Sequence, residues 1–409
     1  MRLLNVDTVE EAREKLLDGA KDLHLKTERI PLSSALGRIL AEDAGAVEPV
    51  PAFRKSTVDG YAVIGQNTQG VTDSIPVFLE VTDEISIGTD AVKRIEPGQC
   101  AYVPTGGMIP GGADAMVMVE YAEYFDDSRI AVYQSVSAGT NVIQIGEDIM
   151  KDDIFLKSGT EIRPQEAGAL AACGYAEVTV FAKPKITIIS TGDELVGVDE
   201  QPGPGQIRDI NTYGIEGLCT GNNIEVIAKK VLKDDEALME ETVREAMEIS
   251  DIVAVSGGSS QGKKDFTSGV MDRLSQPGVF THGIALKPGK PTIMACDKVT
   301  STVLIGLPGH PAAAMMVFEF FILWLMRQKT GQPEKKQLTA RIQTNVPAGA
   351  GRASCLMVDL IDDGDGYTAR PILGKSGLIT TLTGADGYTF IETNKEGLKE
   401  GETVKVTLF

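Results

Sequence analysis

Apolar positions change their spacing several times along the chain, and each change marks a different kind of element. Near the N-terminus, Val9, Ala12, Leu16 and Leu17 recur at helical spacing, with Thr8 ahead of them and Glu11 three residues after Thr8. That arrangement predicts an amphipathic helix opened by a capping box, in which each side chain accepts the other residue's backbone N–H. From about Val47 to Gln144 the pattern shortens to runs such as GYAVIG, PVFLEV, DAMVMVEYAEYF and RIAVYQSV, broken by Gly, Asp and Pro. Short runs rich in β-branched and aromatic residues predict a small all-β module.

Between Lys185 and Met326 the pattern alternates strand, glycine loop and helix. KITIIS, DIVAVS and STVLIG read as buried strands, and TGDEL, GGSSQGKKD and LPGHP are the loops that leave them. NTYGIEGLCTGN and DEALMEETVREAMEI read as helices. Such alternation predicts a parallel sheet with helices on its faces and ligands at the strand carboxyl ends, so the loops are expected to converge on one crevice. The apolar run AAAMMVFEFFILWLM, Ala312 to Met326, is short for a membrane span and is interrupted by Glu319, which predicts a buried helix. After the polar stretch KTGQPEKKQL, residues 338–409 return to short runs separated by DDGDG, GADG and KEGLKEGE, the signature of a C-terminal β-module.

Composition narrows the function. A chain of 409 residues exceeds one ordinary core and implies several domains. The net charge of −19 argues against nucleic-acid binding, which needs a basic face. It leaves room for a small anion, because exposed charges are screened over roughly 8 Å at physiological salt. Five scattered cysteines without a CxxC pair argue against a disulfide framework and a zinc site, and for a reducing compartment. The N-terminal residues lack an apolar segment with a cleavage site, so no signal peptide is expected. The expectation is a cytoplasmic protein with no membrane partner.

Candidate chemistry sits in the loops. In STGDEL, Asp193 and Glu194 follow a strand and are either capping acids or ligands for Mg²⁺, which takes few hard oxygens besides substrate phosphates. Asp234 and Asp235 precede a helix, where an acid serves as N-cap unless it faces the crevice. Lys287 and Lys290 in LKPGKP are held by prolines around a glycine, a stiff turn suited to a tetrahedral oxyanion. Pro308, Gly309 and His310 open the apolar helix, whose free N–H groups are expected to point into the crevice. His310 is a base, a ligand or a hydrogen-bonded structural residue. Ser56 and Asp59 in FRKSTVDGYAV, Thr105 in VPTGG and Asp148 in GEDI occupy turns of the β-rich region.

In order, STVDGYAV, VPTGGMIPGGADAMVMVE, GEDI, STGDEL, GQIRDIN, SGGSSQGKKDF, KPGKP and GLPGHP resemble the molybdopterin molybdenumtransferase family, the MoeA and gephyrin E-domain proteins. The resemblance runs from about residue 30 to 311 and is weaker toward the C-terminus. It implies a multidomain α/β plus β fold. A three-layer α/β domain like molybdopterin adenylyltransferase would take residues 7–26 and 181–328, and a linking domain 27–46 and 146–180. A β-rich domain would take 47–145, and a C-terminal β-barrel-like domain 329–409. The implied activity is insertion of molybdenum from molybdate into adenylylated molybdopterin, with release of AMP in a step that depends on Mg²⁺ or another divalent cation. A homodimer is also implied, with molybdopterin adenylyltransferase and recipient molybdoenzymes as further partners. A tungstate-using paralogue and a scaffold that retains the fold are the alternatives.

Carried onto this sequence, the resemblance makes Asp59, Thr105, Asp148, Glu194, Asp234 and Asp265 catalytic, the first three acting from the partner subunit. Glu194 and Asp265 would hold the metal. Binding falls to Ser190, Thr191, Gly192, Ser256, Gly257, Gly258, Lys287, Lys290, Pro308, Gly309, His310, Arg352 and Ser376. Three departures stand out: Lys263 replaces an acid of the glycine loop, His310 replaces Asn, and Cys355 and Met357 replace Phe and Arg in the C-terminal pattern.

Overall fold

The computed structural model describes residues 6–257, 266–349 and 351–409. Its first element is the helix Val9–Gly19, opened by the reciprocal Thr8–Glu11 box. Val9, Ala12 and Leu16 are buried, but Leu17 is 40% exposed, so the apolar stripe is one residue narrower than its spacing predicts.

A six-stranded sheet carries the β-rich region, in the order Ala115–Met118, Gly60–Val63, Gln99–Val103, Val77–Glu84, Arg129–Val132, Ala122–Tyr124. Only Val77–Glu84 and Gln99–Val103 pair in parallel. On either side of this region in the chain, Thr27–Pro31 pairs with Glu177–Phe181 and Ala44–Gly45 with Ile154–Leu156. With the helix Pro164–Ala172 they enclose a small core of Ala35, Leu40, Ile162, Leu170, Val178 and Val180.

The α/β sheet also has six strands, ordered Glu225–Leu232, Lys185–Thr191, Ile252–Ser256, Thr302–Leu307, Ile293–Asp297, Val279–His282. The first four run parallel, Ile293–Asp297 runs against them, and Val279–His282 pairs antiparallel with it at the edge. Three of these strands are absent from the pattern-based reading. Glu225–Leu232 lies at the sheet edge with Lys229 and Lys230 exposed, so its hydrophobic signal is diluted. Helices Glu236–Ile249 and Thr267–Leu274 cover one face. Helices Val9–Gly19, Asn211–Gly221 and the long helix from Pro311 cover the other, which makes three layers.

The apolar run is this long helix, Pro311–Thr330. By length and composition it would pass for a membrane span, yet 83% of its most apolar window is buried inside the fold. One π turn, Glu319–Leu323, interrupts it. Arg13 Nε donates to Phe320 O at 3.0 Å there, which helps satisfy a backbone group at the irregular turn.

In the C-terminal region, Ala353–Asp362, Tyr367–Pro371, Gln337–Ile342, Thr403–Leu408 and Gly387–Ile391 pair in a ring, a closed five-stranded barrel. Cys355, Met357 and Tyr388 reach from the barrel into the core that the long helix helps to build. Phe320 meets the Tyr388 and Phe390 rings at 5.2 and 4.9 Å. The substituted Cys355 and Met357 are therefore packing residues at this joint.

Candidate functional site

Parallel register brings the three predicted loops together. Ser190 stands beside Ser256 on the neighbouring strand, and Ser256 stands beside Leu307 on the next. All three strand ends therefore open at one edge, as the alternation requires. Gly257 follows at φ +100, and a Cβ there would lie 2.2 Å from Thr191 O, so no larger residue fits this close approach of two loops.

A buried hydrogen-bond network from a fourth segment holds the strand ends. Asp209 Oδ1 accepts from Ser190 Oγ at 3.1 Å and from Thr212 N at 3.2 Å. Asn211 Nδ2 donates to Ser256 Oγ at 2.6 Å and to Gly309 O at 2.9 Å, tying two loops with one amide. Asp209, Asn211 and Thr212 are absent from the sequence-based site. The motif GQIRDIN carries the first two, Asp209 and Asn211, as buried polar residues into a helix start, and Thr212 follows it directly.

On the far side, Lys233 Nζ donates to the carbonyls of Asp193 and Leu195, and Asp234 N donates to Asp193 Oδ1 at 3.2 Å. Asp234 thus lies against the STGDEL loop, while Asp235 takes the capping role and accepts from Leu238 N at 2.9 Å. The Glu194 carboxylate folds over Gly192, with Oε2 2.8 Å from where a Cβ would stand. Gly192 N is engaged by Leu232 O at 3.1 Å, so this glycine offers no free donor.

At the mouth, the barrel contributes directly. Leu286 and Lys287 pair in parallel with Ala353 and Ser354 of the barrel, which sets Lys287 beside the residue after Arg352 by two. Lys287, Lys290 and Arg352 are exposed. His310 Nδ1 lies 2.8 Å from Ser376 Oγ, and Ala312 N donates to Ser376 O at 3.3 Å. Of the N–H groups at the helix start, that of Ala312 is thus taken by the barrel loop. Pro308 is buried behind the exposed Gly309 and His310.

In the β-rich region, Asp59 Oδ1 accepts from Thr105 N at 2.7 Å, so two predicted residues form one turn. Asp148 is exposed on a different turn, where Asp148 N donates to Val50 O. Burial, and next the Asp148 charge, push the Cys173 thiol up. Among the described residues, no hydrogen bond or ion pair joins Asp59, Thr105 or Asp148 to the crevice of the same chain.

Gly258, Lys263 and Asp265 lie outside the described residues. Among those described, no group of three or more His, Cys, Asp and Glu side chains converges as a metal cage. Glu194 and Asp234 stand on the loops that leave two neighbouring strands, joined by the bond from Asp234 N to Asp193 Oδ1, and together they supply few hard oxygens. Such a set fits Mg²⁺ held largely by substrate phosphates and water, and does not fit a metal held by protein alone.

Family comparison agrees with this architecture. Residues 7–174 match the "MoeA N-terminal region (domain I and II)", 187–328 a "Probable molybdopterin binding domain", and 339–409 the "MoeA C-terminal region (domain IV)". The molybdopterin molybdenumtransferase of Bacillus subtilis is 32% identical over 398 residues, covering 94% of this chain and 90% of that protein. That of Haemophilus influenzae is 31% identical and covers 98% of each. A crystal structure of a MoeA protein from Pyrococcus horikoshii superposes with a TM-score of 0.82 at 34% identity, covering 99% of both chains.

Proposed function

The chain belongs to the MoeA family of molybdopterin molybdenumtransferases, and from that premise we propose that it inserts molybdenum from molybdate into adenylylated molybdopterin and releases AMP, with Mg²⁺ bound. The observation that carries this reading is the convergence of three strand-end loops on a crevice whose mouth is finished by cationic and hydroxyl groups from the barrel.

The substrate's pyrophosphate lies along the strand ends, where the loops at Ser256–Gly257 and Pro308–Gly309 bring backbone close to it. Glu194 and Asp265, with Asp234 on the adjoining loop, would hold Mg²⁺ or organise the pyrophosphate, and a divalent cation there would supply charge to offset the phosphates. Water supplies the oxygen when the P–O bond to AMP breaks, and AMP leaves with its own phosphate. Lys287 and Lys290 act as point charges for the molybdate dianion, and Arg352 and Ser376 orient it from the barrel. The two thiol groups of the dithiol pass their protons to one oxo group of molybdate, which departs as water as both sulfurs bond to molybdenum.

Asp59, Thr105 and Asp148 act on the crevice of a partner subunit in a homodimer. Their lack of contact with the crevice of their own chain supports this assignment. Molybdopterin adenylyltransferase supplies the substrate and molybdoenzymes take the product. All five cysteines are free, which supports a cytoplasmic setting.

The test is incubation of purified protein with adenylylated molybdopterin, Mg²⁺ and molybdate. Molybdate-dependent AMP release with formation of active cofactor is expected. No AMP release with any divalent cation rejects the proposal, and release with tungstate alone reassigns the metal.

A further inference from the structure

The pairing between strands Ile252–Ser256 and Thr302–Leu307 ends at Ser256 and Leu307. Their loops run on side by side, with Gly257 Cα 4.0 Å from where a Gly309 Cβ would stand. One side chain spans both. Asn211 Nδ2 donates to Ser256 Oγ at 2.6 Å and to Gly309 O at 2.9 Å, so both amide hydrogens are used. A hydroxyl in its place would bring one hydrogen, and an apolar side chain none.

The residue that makes this bridge is itself held. Asp209 Oδ1 accepts from Ser190 Oγ and Thr212 N, and the Ser190 and Thr212 hydroxyls lie 2.9 Å apart. These bonds fasten the start of the helix Asn211–Gly221 to the strand Lys185–Thr191. One turn on, a Cβ at Gly214 would lie 2.9 Å from Met315 Sδ, so the same helix packs closely on the long helix. Asn211 therefore reaches the two loops from a base anchored on both sides.

Its oxygen is left out of this arrangement. Asn211 is 9% exposed, and Oδ1 is buried without a donor among the described residues. A buried unpaired acceptor is unfavourable, and an apolar side chain of the same shape avoids it. Packing alone therefore does not account for asparagine here, whereas its two donors do. Gly309 is exposed, so water can satisfy its carbonyl when Asn211 does not. Water does not hold that carbonyl at a fixed distance from Ser256.

We propose that Asn211 is a positioning residue. It fixes the gap between the Ser256–Gly257 and Pro308–Gly309 loops, so that both backbones meet one pyrophosphate. It acts through the loops and does not itself touch the substrate. This inference rests on the proposed function and names what sets the width of its phosphate site. When the gap is free to vary, the substrate has to draw the loops together as it binds, which weakens binding and spares the later chemistry.

The test compares the wild-type full chain with Asn211→Leu, which is similar in shape and drops both donors, and Asn211→Ala, which leaves room for water. Thermal unfolding, calorimetric titration with AMP, and steady-state AMP release from adenylylated molybdopterin are read for each. Asn211→Leu is expected to keep its Tm within about 3 °C of wild type, because the lost bonds are offset by removal of the unpaired oxygen. Its KM for adenylylated molybdopterin should rise roughly tenfold, with kcat within about twofold of wild type. AMP, with a single phosphate, engages either loop alone, so its affinity should fall by less than about threefold. A lower Tm or kcat with an unchanged KM makes Asn211 merely structural and overturns the inference. An equal loss for AMP and substrate means that the amide holds one loop only, which also overturns it. If Asn211→Leu does not fold, the KM–kcat split in Asn211→Ala supports or overturns the inference in the same terms. A wild type that neither binds AMP nor releases it overturns this inference together with the proposed function.

Discussion

His310 Nδ1 and Ser376 Oγ meet at 2.8 Å across the seam between the long helix and the C-terminal barrel. The neighbouring Ala312 N–H is taken by the Ser376 carbonyl, so one barrel residue makes two contacts with the helix start. Replacing the side chain in Ser376→Ala leaves the backbone contact intact. We expect a several-fold higher KM for molybdate and a stability loss of at most about 1 kcal/mol, since the pair is exposed and neutral hydrogen bonds contribute little. Steady-state AMP release against molybdate concentration checks this.

Asp59 and Glu194 are assigned to opposite halves of a site shared between subunits. Asp59→Asn and Glu194→Gln are each expected to abolish most AMP release. Mixed and allowed to exchange subunits, the two inactive proteins should regain about one quarter of wild-type activity. That fraction follows because half the dimers are mixed and each carries one intact site in a two-fold assembly. No recovery after verified exchange places both residues in one subunit's site.

Glu319 is buried at 3% exposure and accepts Lys335 Nζ at 2.8 Å and Arg327 Nη2 at 3.3 Å. Glu319→Ala leaves two cations facing each other beside the π turn. We expect a loss of about 3 kcal/mol, at the low end for a broken buried pair because Lys335 is partly hydrated. Denaturant titration of the full chain reads it, and Glu319→Gln should fall between the two.

Burial pushes the thiols of Cys100, Cys219 and Cys296 up to about 12 from an ordinary 9.0. Folding therefore favours the protonated form. Their contribution to stability is complete below pH 9 and declines between pH 9 and 12, where the unfolded chain's thiols ionise first. Denaturant midpoints should be flat from pH 7 to 8.5 and fall at pH 10.5. Iodoacetamide at pH 8 should label Cys173 first, because it is the one cysteine that is not buried.

Gly257→Ala introduces a Cβ 2.2 Å from Thr191 O at a backbone angle that L side chains rarely adopt. A cost of about 2 kcal/mol or more is expected, with lost affinity for AMP. Melting temperature and AMP titration distinguish a displaced loop from general unfolding.

Strands and loops of the α/β domain were legible because apolar runs followed by glycine report local geometry directly. Asp235 as a cap and the Thr8–Glu11 box were legible for the same reason, since both are settled within four residues. What bridges distant segments was not. Asn211 matters because its amide reaches Ser256 and Gly309, 45 and 98 residues away. No window of sequence reports such a contact. Cys355 and Met357 stood out as departures from a site motif, and the fold makes them part of a joint between domains. Leu17 shows the converse limit, because helical spacing fixes a face but neighbouring elements decide how far that face is covered.

The long helix leaves the crevice at His310 and ends at Thr330, and the chain then passes through the 331–336 segment into the barrel. Ser376 returns from that barrel to the helix start, closing a ring of chain through two hydrogen bonds. Tethering holds the two partners at a high effective concentration, so a contact too weak to join separate molecules can still close the seam at the helix start. Parting this contact alone leaves the barrel seated, because Cys355, Met357 and Tyr388 stay packed in the shared core and Leu286–Lys287 stay paired with Ala353–Ser354.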